Sequence, residues 1–294
     1  MKWQDRARSA HVEDRRAQGG GGLGPLGGGP GGFRIPIGRR TGGLGIVGTI
    51  VVLGLVWLLS GQNPIDVLNG GGTTPASWAP PQGANQDQLA GFVSVVTKDT
   101  EDLWTKVFAA NSQTYDPPTL VLFTGATASS CGDAQASAGP FYCPVDRKVY
   151  VDLGFYDQLR QQFGAPGDFA EAYVIAHEVG HHVQNLLGVL PEFTARRPAM
   201  SPSEANAYSV RVELQADCYA GVWANFAQKM NYLDTGDTEE AINAANAIGD
   251  DTLTGGQVAP RNFTHGTAEQ RMHWLKVGLS TGDIRACDTF VGSV

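Results

Sequence analysis

The stretch Ala172-Tyr-Val-Ile-Ala-His177-Glu178-Val-Gly180-His181-His182-Val-Gln-Asn185 decides how this chain is read. It contains H-E-x-x-H, with His177 and His181 four apart and Glu178 beside the first. On an α-helix, positions i and i+4 share a face, one turn apart. Two imidazoles so placed can reach one Zn²⁺, and Glu178 can take the proton of a water that the ion activates. A five-residue pattern also arises by chance, so its surroundings must decide.

The surroundings are helical. Gly167-Asp168-Phe-Ala-Glu171 reads as a helix start, with Asp168 as the cap and Glu171 reaching back to it. Phe169, Tyr173, Ala176, Val179, Val183, Leu186 and Leu187 then fall on one face, and Gly188 is the expected stop. Gly180 lowers helix stability where it stands, so close approach of another segment is expected there. His182 points off the face shared by His177 and His181 and is read as packing or as support for a ligand.

A catalytic zinc site needs three protein ligands and one open position. Ser201-Pro202-Ser203-Glu204 starts a second helix, with Ser at the cap, Pro in the first turn and Glu at the third position. That helix carries Glu213-Leu-Gln-Ala-Asp217, again an i, i+4 pair, among small and apolar neighbours. Unpaired carboxylates on a partly buried face are costly, and a metal with its histidines would offset that. Glu213 is read as the third ligand. Asp217 is read as acceptor of a ligating histidine's second ring N–H, fixing the tautomer. The reverse assignment, with Asp217 as ligand, and an ordinary solvated acidic face are the alternatives.

Further out, the chain changes character. Residues 1–41 hold eight Lys/Arg and three Asp/Glu, residues 42–60 hold no charge, and the rest carries −13 of a total of −8. An acidic body argues against nucleic acid as a partner. The glycine-rich run over 19–32 cannot build a core, so 1–41 is expected to be a disordered basic tail. Within residues 42–60, Gly42 to Leu59 would span about 27 Å as a helix, close to the hydrocarbon thickness. With Arg34, Arg39 and Arg40 before it, the segment reads as a single transmembrane helix in the lipid bilayer, with the N-terminus cytoplasmic and the body exported. A cleaved signal peptide and a buried core helix are the competing readings. Residues 61–85 read as a flexible stalk. The body, 86–294, opens with a helix over Gln86–Ala110, a buried strand at Thr119–Thr124, a second strand at Lys148–Asp152, and a short helix from Phe155 to Phe163. All four cysteines lie in the body, which in an exported domain argues for disulfides. Of three possible pairings, Cys131–Cys143 with Cys218–Cys287 is favoured, because the first closes a short loop.

His-Glu-Val-Gly-His, followed on a later helix by Glu-Leu-Gln-Ala-Asp, resembles the gluzincin type of zinc peptidase. With Met1-Lys-Trp-Gln, Val12-Glu-Asp-Arg-Arg16 and Gly139-Pro-Phe-Tyr-Cys-Pro-Val-Asp146, nearly the whole chain is similar to the bacterial neutral zinc metallopeptidase family. The resemblance implies an α+β, helix-rich, zincin-like domain with a small sheet, preceded by one transmembrane helix. It also implies a membrane-anchored, zinc-dependent endopeptidase with one Zn²⁺ per chain. Thr264-His265-Gly-Thr267-Ala-Glu-Gln270-Arg271 is similar to the His…Arg segment of membrane gluzincins. That likeness implies that His265 and Arg271 stand near the oxyanion; a capped surface helix with an ordinary salt bridge is the alternative. Asp237-Thr-Glu-Glu240 is read as the start of another helix, ending near Leu253, and His273 and Trp274 are read as packing.

The expected activity is hydrolysis of a peptide or protein substrate. His177, His181 and Glu213 would hold Zn²⁺, Glu178 would act as base, and Lys148–Asp152 would be an edge on which an extended substrate could pair. A non-catalytic zinc-bearing envelope adaptor and a zinc amidase acting on cell-wall peptides are the rival readings.

Overall fold

The computed structural model describes residues 1–17, 84–136, 139–161 and 164–294. The expected glycine-rich run, the apolar stretch 42–60 and nearly all of the expected stalk lie outside the described residues. No helix among the described residues is long and apolar enough to cross a membrane.

The architecture is helix-rich α+β with a small sheet. The sheet runs β1 (Val12–Asp14), β2 (Thr119–Phe123), β6 (Lys148–Asp152), β5 (Phe141–Cys143) in spatial order. β1, β2 and β6 are parallel, and β5 is antiparallel to β6. Leu120 to Phe123 are buried without alternation, as a strand covered on both faces requires. On one face, Leu120, Leu122, Val149 and Val151 join the main core with the helices α1 (Ala84–Ala110) and α3 (Asp168–Leu186). On the other, Val121, Phe123 and Tyr150 form a smaller core with Ala134 and Cys143. Ala134 comes from a hairpin of β3 (Ala126–Ser129) and β4 (Gly132–Gln135), a stretch with no strand signal beyond small polar residues. The disulfide Cys131–Cys143 ties this hairpin to β5. A short helix, α2 (Phe155–Gln161), follows β6.

The rest is helical. After α4 (Val189–Arg196) comes α5 (Pro202–Lys229), the longest helix among the described residues. Ser201 and Glu204 close its first turn reciprocally, as the sequence signature requires. Next are α6 (Asp237–Ala247), α7 (Asp250–Leu253) and α8 (Ala268–Thr281), the last capped by Thr267 and Gln270 in the same way. α8 lies against α5 at Gly221 and Gly278. A Cβ on Gly278 would stand 1.9 Å from the Cys218 carbonyl oxygen. The disulfide Cys218–Cys287 fastens the chain end beyond α8 to α5.

Three expectations need correction. The helix expected from Asp237 to Leu253 breaks at Ile248–Gly249, so Asp250 starts a helix of its own. Asp168 does not cap α3: the cap position is Gly167, with no side-chain cap bond. The Asp168 carboxylate instead meets the amino group of Met1 at 2.6 Å, and Glu171 accepts from Arg160 Nη1 at 2.8 Å. Tertiary partners took both side chains that the local signature assigned to the cap. Finally, residues 1–17 are not a disordered tail. Met1 is buried and Val12–Asp14 forms a sheet strand.

Candidate metal and catalytic site

The site lies where α3 crosses α5. Gly180 is the crossing point: a Cβ there would stand 3.1 Å from the carbonyl oxygen of Ala216, so the close approach expected from the sequence is present. Across this contact α3 presents His177 and His181, and α5 presents Glu213 and Asp217, all four buried.

His177 Nε2 lies 3.2 Å from Glu213 Oε2, and His181 Nε2 lies 3.5 Å from Glu213 Oε1. One donor atom from each of His177, His181 and Glu213 falls within 4.8 Å of the others. The other ring nitrogens are held from behind. His177 Nδ1 lies 2.8 Å from Asp217 Oδ1. His181 Nδ1 lies 2.8 Å from Gln184 Oε1. The Gln184 amide group donates to the Val212 carbonyl (2.7 Å) and to Gln215 Oε1 (3.1 Å), which leaves its oxygen for the histidine. With Nδ1–H donated backwards in both rings, both Nε2 atoms face Glu213.

The electrostatics favour a cation at this point. Burial works against charge on His177, yet Asp217 and Glu213 hold its pKa up at about 10. Burial also opposes ionisation of Glu213, but the two histidines bring its carboxyl well below the usual range. The carboxylates that keep a proton on His177 would equally favour a metal ion in its place. Two imidazoles and one carboxylate, each fixed by a second hydrogen bond or by the helix contact, make a donor set suited to Zn²⁺.

Asp217 is the hub behind the site. It accepts from His177, from the Tyr173 hydroxyl (2.6 Å) and from two nitrogens of Arg271, each at 2.9 Å. Burial raises its carboxyl pKa, but Arg271 and His177 outweigh that and bring it to about 2. Arg271 is buried, and its remaining nitrogen donates to the Ile248 carbonyl at 3.2 Å. The expected oxyanion role of Arg271 is therefore corrected: its donors are committed to Asp217, Tyr173 and Ile248.

His265 is placed differently. Asp250 Oδ2 accepts the backbone N–H groups of Thr264, His265 and Gly266, while its Oδ1 lies 3.1 Å from His265 Nδ1. Burial disfavours the imidazolium, but Asp250 and the nearby charge of Glu213 raise its pKa. Among the described residues, His265 Nε2 has no hydrogen-bond partner. Its ring is thus positioned by a carboxylate, close enough to feel the charge of Glu213.

Glu178 is buried, which raises its carboxyl pKa against the opposing pull of His181 and His177, and the Tyr142 backbone of β5 lies beside it. The outer edge of the sheet therefore meets the candidate base. β6, the expected substrate edge Lys148–Asp152, is flanked by β2 and β5 and has no free edge. His182 is a packing residue. Its Nε2 donates to the Asp116 carbonyl (2.7 Å), its Nδ1 faces the Tyr142 hydroxyl (3.0 Å), and burial lowers its pKa to about 4. His273 stacks edge-on with Trp274.

The sequence reading missed Gln184, Tyr173 and Asp250. Gln184 carried a usable signal, one turn beyond His181 on the same helix. Asp250 carried none, because only the fold brings it to His265.

This helix pair brings two histidines and a glutamate together from α3 and α5 as a group that could hold a metal ion. The chain belongs to the family described as "Putative neutral zinc metallopeptidase", which it matches over residues 1–290. It is 47% identical over 302 residues to Uncharacterized protein YpfJ of Escherichia coli (strain K12), covering 100% of each chain. It is also 47% identical over 190 residues to Uncharacterized protein Rv2575 of Mycobacterium tuberculosis (strain ATCC 25618 / H37Rv), covering 60% of this chain and 63% of that one. No solved structure matches the chain.

Proposed function

We propose that this protein is a zinc-dependent endopeptidase in which His177, His181 and Glu213 hold the ion and Glu178 is the general base. One observation supports this above the others. Both histidines have Nδ1 engaged from behind, so both Nε2 atoms converge on the Glu213 carboxylate. A purely structural histidine pair has no need of that arrangement.

When bound, Zn²⁺ supplies a Lewis acid that polarises the scissile carbonyl and acidifies the attacking water. Glu178 takes that water's proton and passes it to the leaving amine as the C–N bond breaks. His265, held by Asp250, donates to the carbonyl oxygen as negative charge develops there. Asp217 and Gln184 keep the two ligand rings in one tautomer and orientation. An extended substrate would lie along the outer edge of β5, beside Glu178. Export of the body belongs to the same proposal.

The test is Glu178→Gln. The variant should retain zinc at one per chain and lose chelator-sensitive digestion of casein. Cleavage at the wild-type rate would refute the assignment of the base. A wild-type protein that binds zinc but never cuts casein would point to the adaptor or amidase readings.

A further inference from the structure

We infer that residues 1–16 and the body occupy the same compartment, because the body carries a built seat for this segment.

The seat is continuous and is made from separate parts of the body. β1 supplies the outer edge of β2. The Leu120 N–H donates to the His11 carbonyl (2.8 Å), and the Arg15 N–H donates to the Leu122 carbonyl (2.7 Å). Without it, a strand buried over Leu120–Phe123 would present bare N–H and C=O groups along one side, an edge that folded proteins cover. Trp3 packs edge-on against Phe92 of α1, with ring centres 5.7 Å apart. The Arg6 guanidinium lies 3.2 Å over the ring of Tyr232, beyond α5. The Ser9 N–H donates to the Ser94 carbonyl at 3.0 Å, and the Lys2 N–H donates to the Tyr232 carbonyl at 2.8 Å. Glu13 reaches Lys148 of β6 at 2.8 Å.

Charge makes the stronger argument. α1 buries two carboxylates, Asp99 and Glu101. Asp99 forms its salt bridge with Arg6, and Glu101 accepts from Ser9 and faces His11 Nδ1 at 3.0 Å. Those partners all come from residues 1–16. Removing one partner while the segment stays seated leaves an uncompensated charge, so the segment and α1 are matched group for group. The family match takes in residues 1–17 together with the body.

The two disulfides in the body fit an oxidising compartment. The segment seated on that body shares its side. A single membrane crossing anywhere between residues 17 and 84 would place segment and seat on opposite sides. The expected topology, N-terminus inside and body outside, and the seated segment therefore exclude each other. A segment lent by a neighbouring copy would meet the same contradiction, since every copy has one topology.

The test uses single cysteines. All four native cysteines are paired, so an introduced thiol is the reporter. Ala10 and Ser280 are exposed, one on the segment and one on the body. Full-length Ala10→Cys and Ser280→Cys, in intact cells, are treated with a membrane-impermeant maleimide before or after lysis. The inference expects the same pattern at both positions. Labelling of one before lysis and the other only after lysis would overturn it. A second measurement checks the seat. In the purified full chain, Arg6→Met should lower the Tm, and Arg6→Met with Asp99→Leu should recover much of the loss. No change with Arg6→Met alone would mean that the seat is empty in solution.

Discussion

Replacing Arg271 by Met should destabilise the protein through Asp217. The guanidinium supplies two of the four hydrogen bonds that Asp217 accepts, and neither residue has access to water. Methionine fills most of the volume but leaves a buried carboxylate supported only by Tyr173 and His177. Breaking a buried pair from one side costs about 3–5 kcal/mol. A chain of this size loses about 2–4 °C of Tm per kcal/mol, so a drop of about 6–20 °C is expected. The assay is thermal unfolding of purified protein followed by circular dichroism. Adding Asp217→Leu should return much of the loss, because an apolar pair leaves no orphan charge. If Arg271→Met melts within about 2 °C of wild type while kcat falls a hundredfold, the guanidinium acts on substrate and the assignment to Asp217 is wrong.

Asp217→Asn should weaken zinc binding by about 10–100-fold, read by competition with a chromogenic chelator; unchanged affinity would remove Asp217 from the support of His177. His265→Ala should lower kcat about 10²–10³-fold with zinc content and KM little changed, and full activity would exclude it from the oxyanion. The pH dependence of stability offers a third check, at Glu171. Burial raises its pKa to about 8 against 4.5 for the ordinary group, despite Arg160. The folded state therefore binds this proton more tightly than the unfolded chain. The contribution of Glu171 to stability is expected to be full below about pH 4.5 and to be lost by about pH 8, a change on the order of 5 kcal/mol. Glu171→Gln should flatten that slope in melts between pH 5 and 8; an unchanged slope would mean Glu171 is not its source.

The sequence was most legible where a function needs a fixed spacing on one element. His177, Glu178 and His181 are set by one helix, Glu213 and Asp217 by another, and both capping boxes, at Ser201 and Thr267, form as written. It was least legible where the partner comes from far along the chain. Asp168 and Glu171 satisfy the capping signature, yet each found a better tertiary partner. Arg271 sits one turn into a capped helix in either reading, and only the packing of α8 on α5 shows that it faces Asp217. β1 has three residues and one apolar side chain, too little to announce a strand. The charges around it look like a solvated tail until Asp99 and Glu101 are seen waiting on α1. Lys148–Asp152 has the short apolar run of a strand, but such a run does not say which neighbours pair with it.

The missing side chain at Gly180 has a consequence for how the metal site tolerates change. The gap between α3 and α5 is set by one backbone-to-backbone contact, and the metal donors lie on either side of it. A methyl group at that point would act as a wedge a few tenths of an ångström thick. The core could absorb such a wedge, but a coordination sphere tolerates only about ±0.2 Å around its preferred distances. The first property lost in a Gly180→Ala protein would then be its selectivity among divalent ions, while its fold and melting temperature changed little. The glycine acts as a gauge, and the quantity it would set is the reach of the His177, His181 and Glu213 donors to the proposed ion.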